Sequence, residues 1–105
     1  MRMKRELPKL GSVVEVMRGR DTGLYFVVIA HAQERFVYLA DGEVRRVEQP
    51  KRKNVLHVRS TGYVGLDTES LLQNGQRLTN AVLRYDMRRF HAAYGREGDS
   101  DHGER

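Results

Sequence analysis

Residues 11–30, Gly-Ser-Val-Val-Glu-Val-Met-Arg-Gly-Arg-Asp-Thr-Gly-Leu-Tyr-Phe-Val-Val-Ile-Ala, read as a β-strand, a tight basic turn held by two glycines, and a second, more buried strand. Val14 and Val16 alternate with Glu15, the period of two expected where one face of a strand is buried. Gly19 and Gly23 bracket Arg20-Asp21-Thr22, a composition that suits a turn needing positive φ. The run Leu24–Ala30 is continuously apolar and rich in β-branched and aromatic residues, which predicts a strand covered on both faces at the centre of the core. Arg18 and Arg20 fall at the tip of this hairpin, where guanidinium forks can meet phosphates.

Outward from this unit, a polar break at Gln33-Glu34 precedes a third apolar run, Arg35–Ala40. Asp41-Gly42 predicts a type I′ hairpin into a fourth strand, Glu43–Glu48. Pro50-Lys51-Arg52-Lys53-Asn54 predicts a basic loop, because proline cannot sit in a central strand, and Val55–Val58 predicts a short fifth strand. Five short strands within about fifty residues point to a small barrel or strongly bent sheet over residues 11–62 that limits its exposed edges by curling. Residues 1–10 read as a basic N-terminal arm that settles on the domain only near its end. No apolar run follows its charges, so it does not read as a secretory signal.

Residues 63–94 read as a helical extension. Asp67 or Thr68 is the expected cap of a short helix through Leu71-Leu72, ended by Asn74-Gly75. Thr79 or Asn80 is the expected cap of a second helix running to Tyr94. On it Leu83, Met87, Phe90 and Tyr94 form one apolar stripe that packs on the open side of the barrel. Residues 95–105 carry no apolar anchor and are expected to be a disordered tail.

The 105 residues suffice for one domain with a modest core. Lys and Arg number 19 against 14 Asp and Glu, a formal net charge of +5, which favours an acidic partner such as nucleic acid or an anionic membrane surface. Residues 1–59 hold 13 Lys/Arg against 7 Asp/Glu and residues 60–105 hold 6 against 7. The positive field therefore belongs to the N-terminal half. Cysteine is absent, which removes disulfides, thiolate nucleophiles and Cys-containing zinc sites and fits a reducing compartment. No stretch of about 18 apolar residues is present to cross a bilayer, and a soluble, cytoplasmic protein is expected.

His31, His57, His91 and His102 lack a second ligand at a recognised metal spacing. Ser12, Ser60 and Ser70 lack a nucleophile-elbow context. Neither an enzyme nor a cofactor is expected. The Gly19–Gly23 turn has no Gly-Lys-Ser/Thr ending and leads into a strand rather than a helix, unlike a nucleotide-binding loop. Such a turn can instead present N–H groups and arginines to a polynucleotide backbone.

The basic residues of the strand region fall in three groups: Arg18 with Arg20, Arg45 with Arg46, and Lys51-Arg52-Lys53. If they converge, roughly five to seven phosphate contacts are expected, with affinity that falls steeply with salt. Tyr25, Phe36 and Tyr38 would stack on unpaired bases if exposed. Core packing is the plainer expectation for them.

Gly11, Val14, Val16, Gly19, Gly23 and the apolar run through Val28 resemble the KOW motif, a short alternating segment around a fixed glycine found in SH3-like barrels. With Asp41-Gly42-Glu43-Val44-Arg45-Arg46-Val47 and Lys51-Arg52-Lys53, about half the chain resembles the small bacterial KOW-domain proteins related to archaeal and eukaryotic large-subunit ribosomal proteins. Leu24-Tyr25-Phe26 stand where many KOW motifs have a further small residue. The resemblance implies a mainly β fold, an SH3-like five-stranded barrel, that binds RNA, above all ribosomal RNA, through its hairpin loops. Gly19 matches the motif glycine, and Arg18 and Arg20 match flanking positions that are commonly basic. The RNA-binding set expected is thus Arg18, Gly19, Arg20, Gly23, Arg45, Arg46, Lys51, Arg52 and Lys53. KOW-type barrels in transcription factors also bind proteins. The alternative is therefore a protein-interaction module docking on a transcription or ribosome-associated complex.

Overall fold

The computed structural model describes residues 6–102, with side chains described through Tyr94. Five antiparallel strands form one sheet in the order β4-β3-β2-β1-β5, with β1 Ser12–Val16, β2 Tyr25–Ala32, β3 Phe36–Ala40, β4 Lys51–Asn54 and β5 Val58–Val64. Two helices follow, α1 Leu66–Gln73 and α2 Asn80–His102.

The first three strands fall where the apolar runs predict them. β2 lies between β1 and β3, and Phe26, Val27 and Val28 are all buried, as a strand covered on both faces requires. Val14, Val16, Phe26, Val28, Val37 and Leu39 form the core on one face, which Leu7, Leu10 and Val58 help to cover. Val13, Val27 and Ala40 form the opposite face with Leu78, Leu83, Met87 and Phe90. We call this the helical face. The predicted stripe of α2 is thus the element that covers it, with Tyr94 packed against the same cluster.

Three expectations about the strands are corrected. First, Glu43–Glu48 is not a strand. Asp41 Oδ1 accepts from the backbone N–H groups of Glu43 (3.0 Å) and Arg45 (2.9 Å), and Asn80 Oδ1 accepts from that of Val47 (2.7 Å). These side-chain acceptors occupy the donors a sheet ladder would need. Second, the stretch expected as a basic loop supplies β4, pairing Leu39 with Lys51, Tyr38 with Arg52 and Val37 with Lys53. Pro50 precedes the strand, where it removes no ladder bond, and an edge strand tolerates lysines that discourage edge-to-edge association. Third, Val55–His57 is a 3₁₀ turn, capped by Asn54 Oδ1 on the Leu56 N–H, and the fifth strand runs on to Val64.

The sheet is not closed into a barrel: β4 and β5 are its two edges and no pairing joins them. β4 is only four residues long and passes directly into the 3₁₀ turn. Glu6, Leu7, Pro8 and Lys9 line a space with Val55, Val58 and Ser60 instead. Lys9 bridges to Glu69 at 2.8 Å, and the Pro8 carbonyl lies 2.7 Å from His31 Nε2. The remainder of the expected arm, residues 1–5, lies outside the described residues.

The N-cap of α1 is Gly65, not Asp67 or Thr68, and the capping carboxylate comes from α2: Asp86 Oδ2 accepts from the Thr68 N–H at 2.8 Å. A Cβ at Gly65 would lie 2.8 Å from that same oxygen, so glycine lets the buried carboxylate approach. α2 begins as expected, with Thr79 Oγ1 accepting from the Val82 N–H at 3.2 Å. Its backbone stays helical through His102, past Tyr94 and into the segment expected to be disordered, because extending a nucleated helix costs far less than starting one. Residues 103–105 lie outside the described residues.

Candidate nucleic-acid interface

The β1–β2 turn is held by its own backbone. Gly23 N–H donates to Val16 O at 2.8 Å and Leu24 N–H to Asp21 O at 3.0 Å. The Thr22 hydroxyl donates to Gly19 O at 2.5 Å, and Met17 N–H reaches His57 O of the 3₁₀ turn at 2.8 Å. Gly19 and Gly23 have φ of +94° and +89°, the positive values that the sequence calls for.

Two contacts bring the three basic groups together at this turn. A Cβ at Gly19 would lie 2.7 Å from Lys53 Nζ, so the bare glycine is what lets the β4 ammonium settle against the turn. Asp21, only 7% exposed, accepts from Arg45 Nε at 3.0 Å and Nη2 at 2.8 Å. The first contact joins groups more than thirty residues apart in the chain, and the second ties the 41–49 loop to the hairpin.

The groups do not contribute alike. Among the described residues Arg18, Arg20, Lys51 and Lys53 form no ion pair, leaving their charges available to a ligand. Arg18, Gly19, Arg20 and Gly23 are exposed, and Lys51 and Lys53 half-buried. Arg45 is held by Asp21 and serves as a strut. Arg46 is exposed and lies 3.7 Å from Glu48, and the exposed Arg52 places its guanidinium carbon 3.9 Å from the centre of the Phe36 ring.

Removing the strut has a readable cost. Arg45→Met leaves Asp21 without its cation and is expected to lower stability by about 1–3 kcal/mol, whereas Asp21→Asn with Arg45→Met loses less than the two single changes summed. Urea unfolding of the four proteins measures this coupling. Additive losses would mean that the pair does not hold the loop.

The 41–49 loop is fastened at its other end by Asn80, whose Nδ2 donates to both Glu48 oxygens, at 2.9 and 3.2 Å. That hydrogen bond is the main reason the Glu48 carboxyl titrates below its ordinary 4.5. A lowered folded pKa adds stability that is fully present above pH 4.5 and is lost as pH falls through the folded value. An NMR titration of the Glu48 carboxyl carbon is expected to give a midpoint below 4.5, which Asn80→Ala moves upward. An unchanged midpoint in that variant would remove Asn80 as the cause.

The aromatic residues divide. Tyr25 packs at 5.2 Å from Phe90 and 5.6 Å from Tyr94 on the helical face, and burial, with Glu15 nearby, pushes its hydroxyl pKa up. It offers no free ring. Phe36 and Tyr38 are half-buried and belong to neither core cluster, contrary to the core packing expected of them.

A groove of about 400 Å³ lies between the hairpin, the 41–49 loop and α2, lined by Leu24, Val44, Met87, Arg84, Arg88 and His91 among others. It was not foreseen in the sequence, since its walls come from three separate segments. Among the described residues, no group of three or more His, Cys, Asp or Glu side chains is placed to hold a metal ion, and no helix is long and apolar enough to cross a membrane. No protein-family model and no curated protein sequence matches the chain.

Proposed function

We propose that this chain is a KOW-type, non-enzymatic RNA-binding protein of the cytoplasm that associates with ribosomal RNA, docking on the phosphate backbone through the β1–β2 turn and β4. The observation that carries the reading is the approach of Lys53 to Gly19, which sets Lys53 beside Arg18 and Arg20 at one turn, with Lys51 two residues along the same strand face, all without ion-pair partners among the described residues. Closely spaced, uncompensated cations on a hydrogen-bonded hairpin suit a ligand whose charges are also closely spaced. The KOW resemblance of residues 11–28 supports RNA as that ligand.

A second reading, a protein-interaction module on a transcription or ribosome-associated complex, draws on the groove beside α2, where Leu24 is 43% and Val44 61% exposed. Crosslinking in cells with sequencing of bound RNA, alongside a sucrose-gradient profile of the same lysate, separates the two. Crosslinks concentrated in ribosomal RNA, with the protein in subunit fractions, are expected. A protein that stays at the top of the gradient without RNA crosslinks would favour the groove.

A further inference from the structure

β2 and β3 are joined by a ladder whose register shifts between Val28 and Ala30. Val28 faces Leu39, but the next pair is Ala30 with Tyr38, so Ile29 is the extra residue of a bulge. Because side chains alternate along a strand, one inserted residue exchanges the two faces for everything beyond it. Without it, His31 would share a face with Phe36 and Tyr38. With it, Ala30 stands beside Tyr38 and Ala32 beside Phe36, while His31 turns to the Pro8 carbonyl on the other side. On β2, Ala30 and Ala32 thus stand directly opposite the two aromatic rings, while the bulged Ile29 packs against the helical-face cluster.

On the other flank, Arg52 pairs with Tyr38 and its guanidinium lies over Phe36. The helical cover ends at Ala40: Phe36 and Tyr38 are absent from the cluster that α2 builds with Val13, Val27 and Ala40. What remains is a shallow aromatic strip of Phe36, Arg52 and Tyr38 beside two alanines, along an edge strand whose Lys51 and Lys53 take the opposite face. Guanidinium planes and aromatic faces are the surfaces on which unpaired bases stack, and lysines around the edge of the same strand suit the phosphates that connect such bases.

We propose that this strip is a stacking site for unpaired bases, so that the RNA bound by this protein is a single-stranded segment or loop rather than a continuous duplex. The inference rests on the RNA reading above and adds what part of the RNA is held. One base stacks against Tyr38 and the Arg52–Phe36 pair, while Lys51 and Lys53, on the opposite face of the same edge strand, meet the backbone as it passes around the edge.

The test compares binding of the wild-type chain to a fluorescein-labelled oligoadenylate RNA strand with binding to an abasic strand of the same length, which keeps the phosphates and removes the bases. Oligoadenylate is expected to bind about tenfold more tightly. Phe36→Leu with Tyr38→Leu is expected to erase that preference while leaving affinity for the abasic strand unchanged. Equal wild-type affinity for both strands would overturn the stacking site and leave phosphate docking standing. Binding to neither would overturn both. A preference that survives in a folded double variant would place the stacking elsewhere and likewise overturn the assignment. The wild-type comparison needs no variant, so it decides the matter even if the double variant fails to fold.

Discussion

Replacing Phe90 by Ala is expected to lower the free energy of unfolding by about 3–5 kcal/mol. Phe90 is fully buried, and it is the ring on which the helical face converges. Its centroid lies 4.8 Å from Tyr94, 5.1 Å from His91, 5.2 Å from Tyr25 and 5.4 Å from Tyr63. Those partners come from α2, β2 and β5, so the truncation leaves a cavity where helix and sheet meet and forfeits aromatic contacts beyond the buried area. Phe90→Leu keeps most of the volume and should cost markedly less. Denaturant midpoints with unchanged m-values measure both. Equal, small losses in the two variants would mean that α2 rests loosely on the sheet.

Gly42→Ala is expected to cost about 2–5 kcal/mol, although only one methyl group is added. The residue has φ of +85°, and a Cβ there would meet Asn80 O at 2.5 Å, Arg84 Cγ at 2.9 Å and Leu83 Cβ at 3.2 Å. The first neighbour is the backbone at the start of α2, which cannot yield as a side chain tip does. The contact also adjoins the bond from Arg84 Nη1 to Gly42 O, 3.0 Å. Gly23→Ala provides the comparison: its φ is +89°, but nothing lies within 4 Å. Only the backbone penalty of about 1–2 kcal/mol is expected there. Thermal unfolding of both separates crowding from conformation, and equal losses would contradict the close seat of α2 on the 41–49 loop.

Asp41-Gly42 also shows where local reading of this chain stops. The pair is a strong hairpin signal, yet its glycine serves the approach of a helix some forty residues on, and its aspartate binds the donors that a fourth strand would have used. The first three strands and the α2 stripe were legible because each is decided by its own periodicity. β4 was not, since Lys51–Asn54 has no apolar pattern and is a strand only because β3 offers it an edge. The cap of α1 lay equally out of reach, because its carboxylate, Asp86, sits in the next helix.

The candidate site divides along the same line. The two glycines and the basic tip of the β1–β2 turn could be read directly from residues 18–23. That Lys53 meets the turn while Arg45 is taken up by Asp21 depends on chain segments far apart in sequence. Composition can therefore find the cations, whereas their availability follows from which acids the fold sets beside them. The β2 bulge has no local signal either, and it alone decides that alanines rather than His31 flank Phe36 and Tyr38.

The central claim is that the cations around Gly19 bind phosphates. Its most direct test is the salt dependence of binding to a short fluorescein-labelled RNA stem-loop with an open loop, for the wild-type chain, for Arg18→Ala/Arg20→Ala/Lys53→Ala, and for Arg77→Ala/Arg88→Ala/Arg89→Ala. The two variants lose the same charge from different places. The first triple is expected to weaken binding and to reduce the slope of log affinity against log salt by about 2–3, while the second leaves that slope close to wild type. Equal slopes in the two variants, or a wild-type affinity indifferent to salt, would contradict the account.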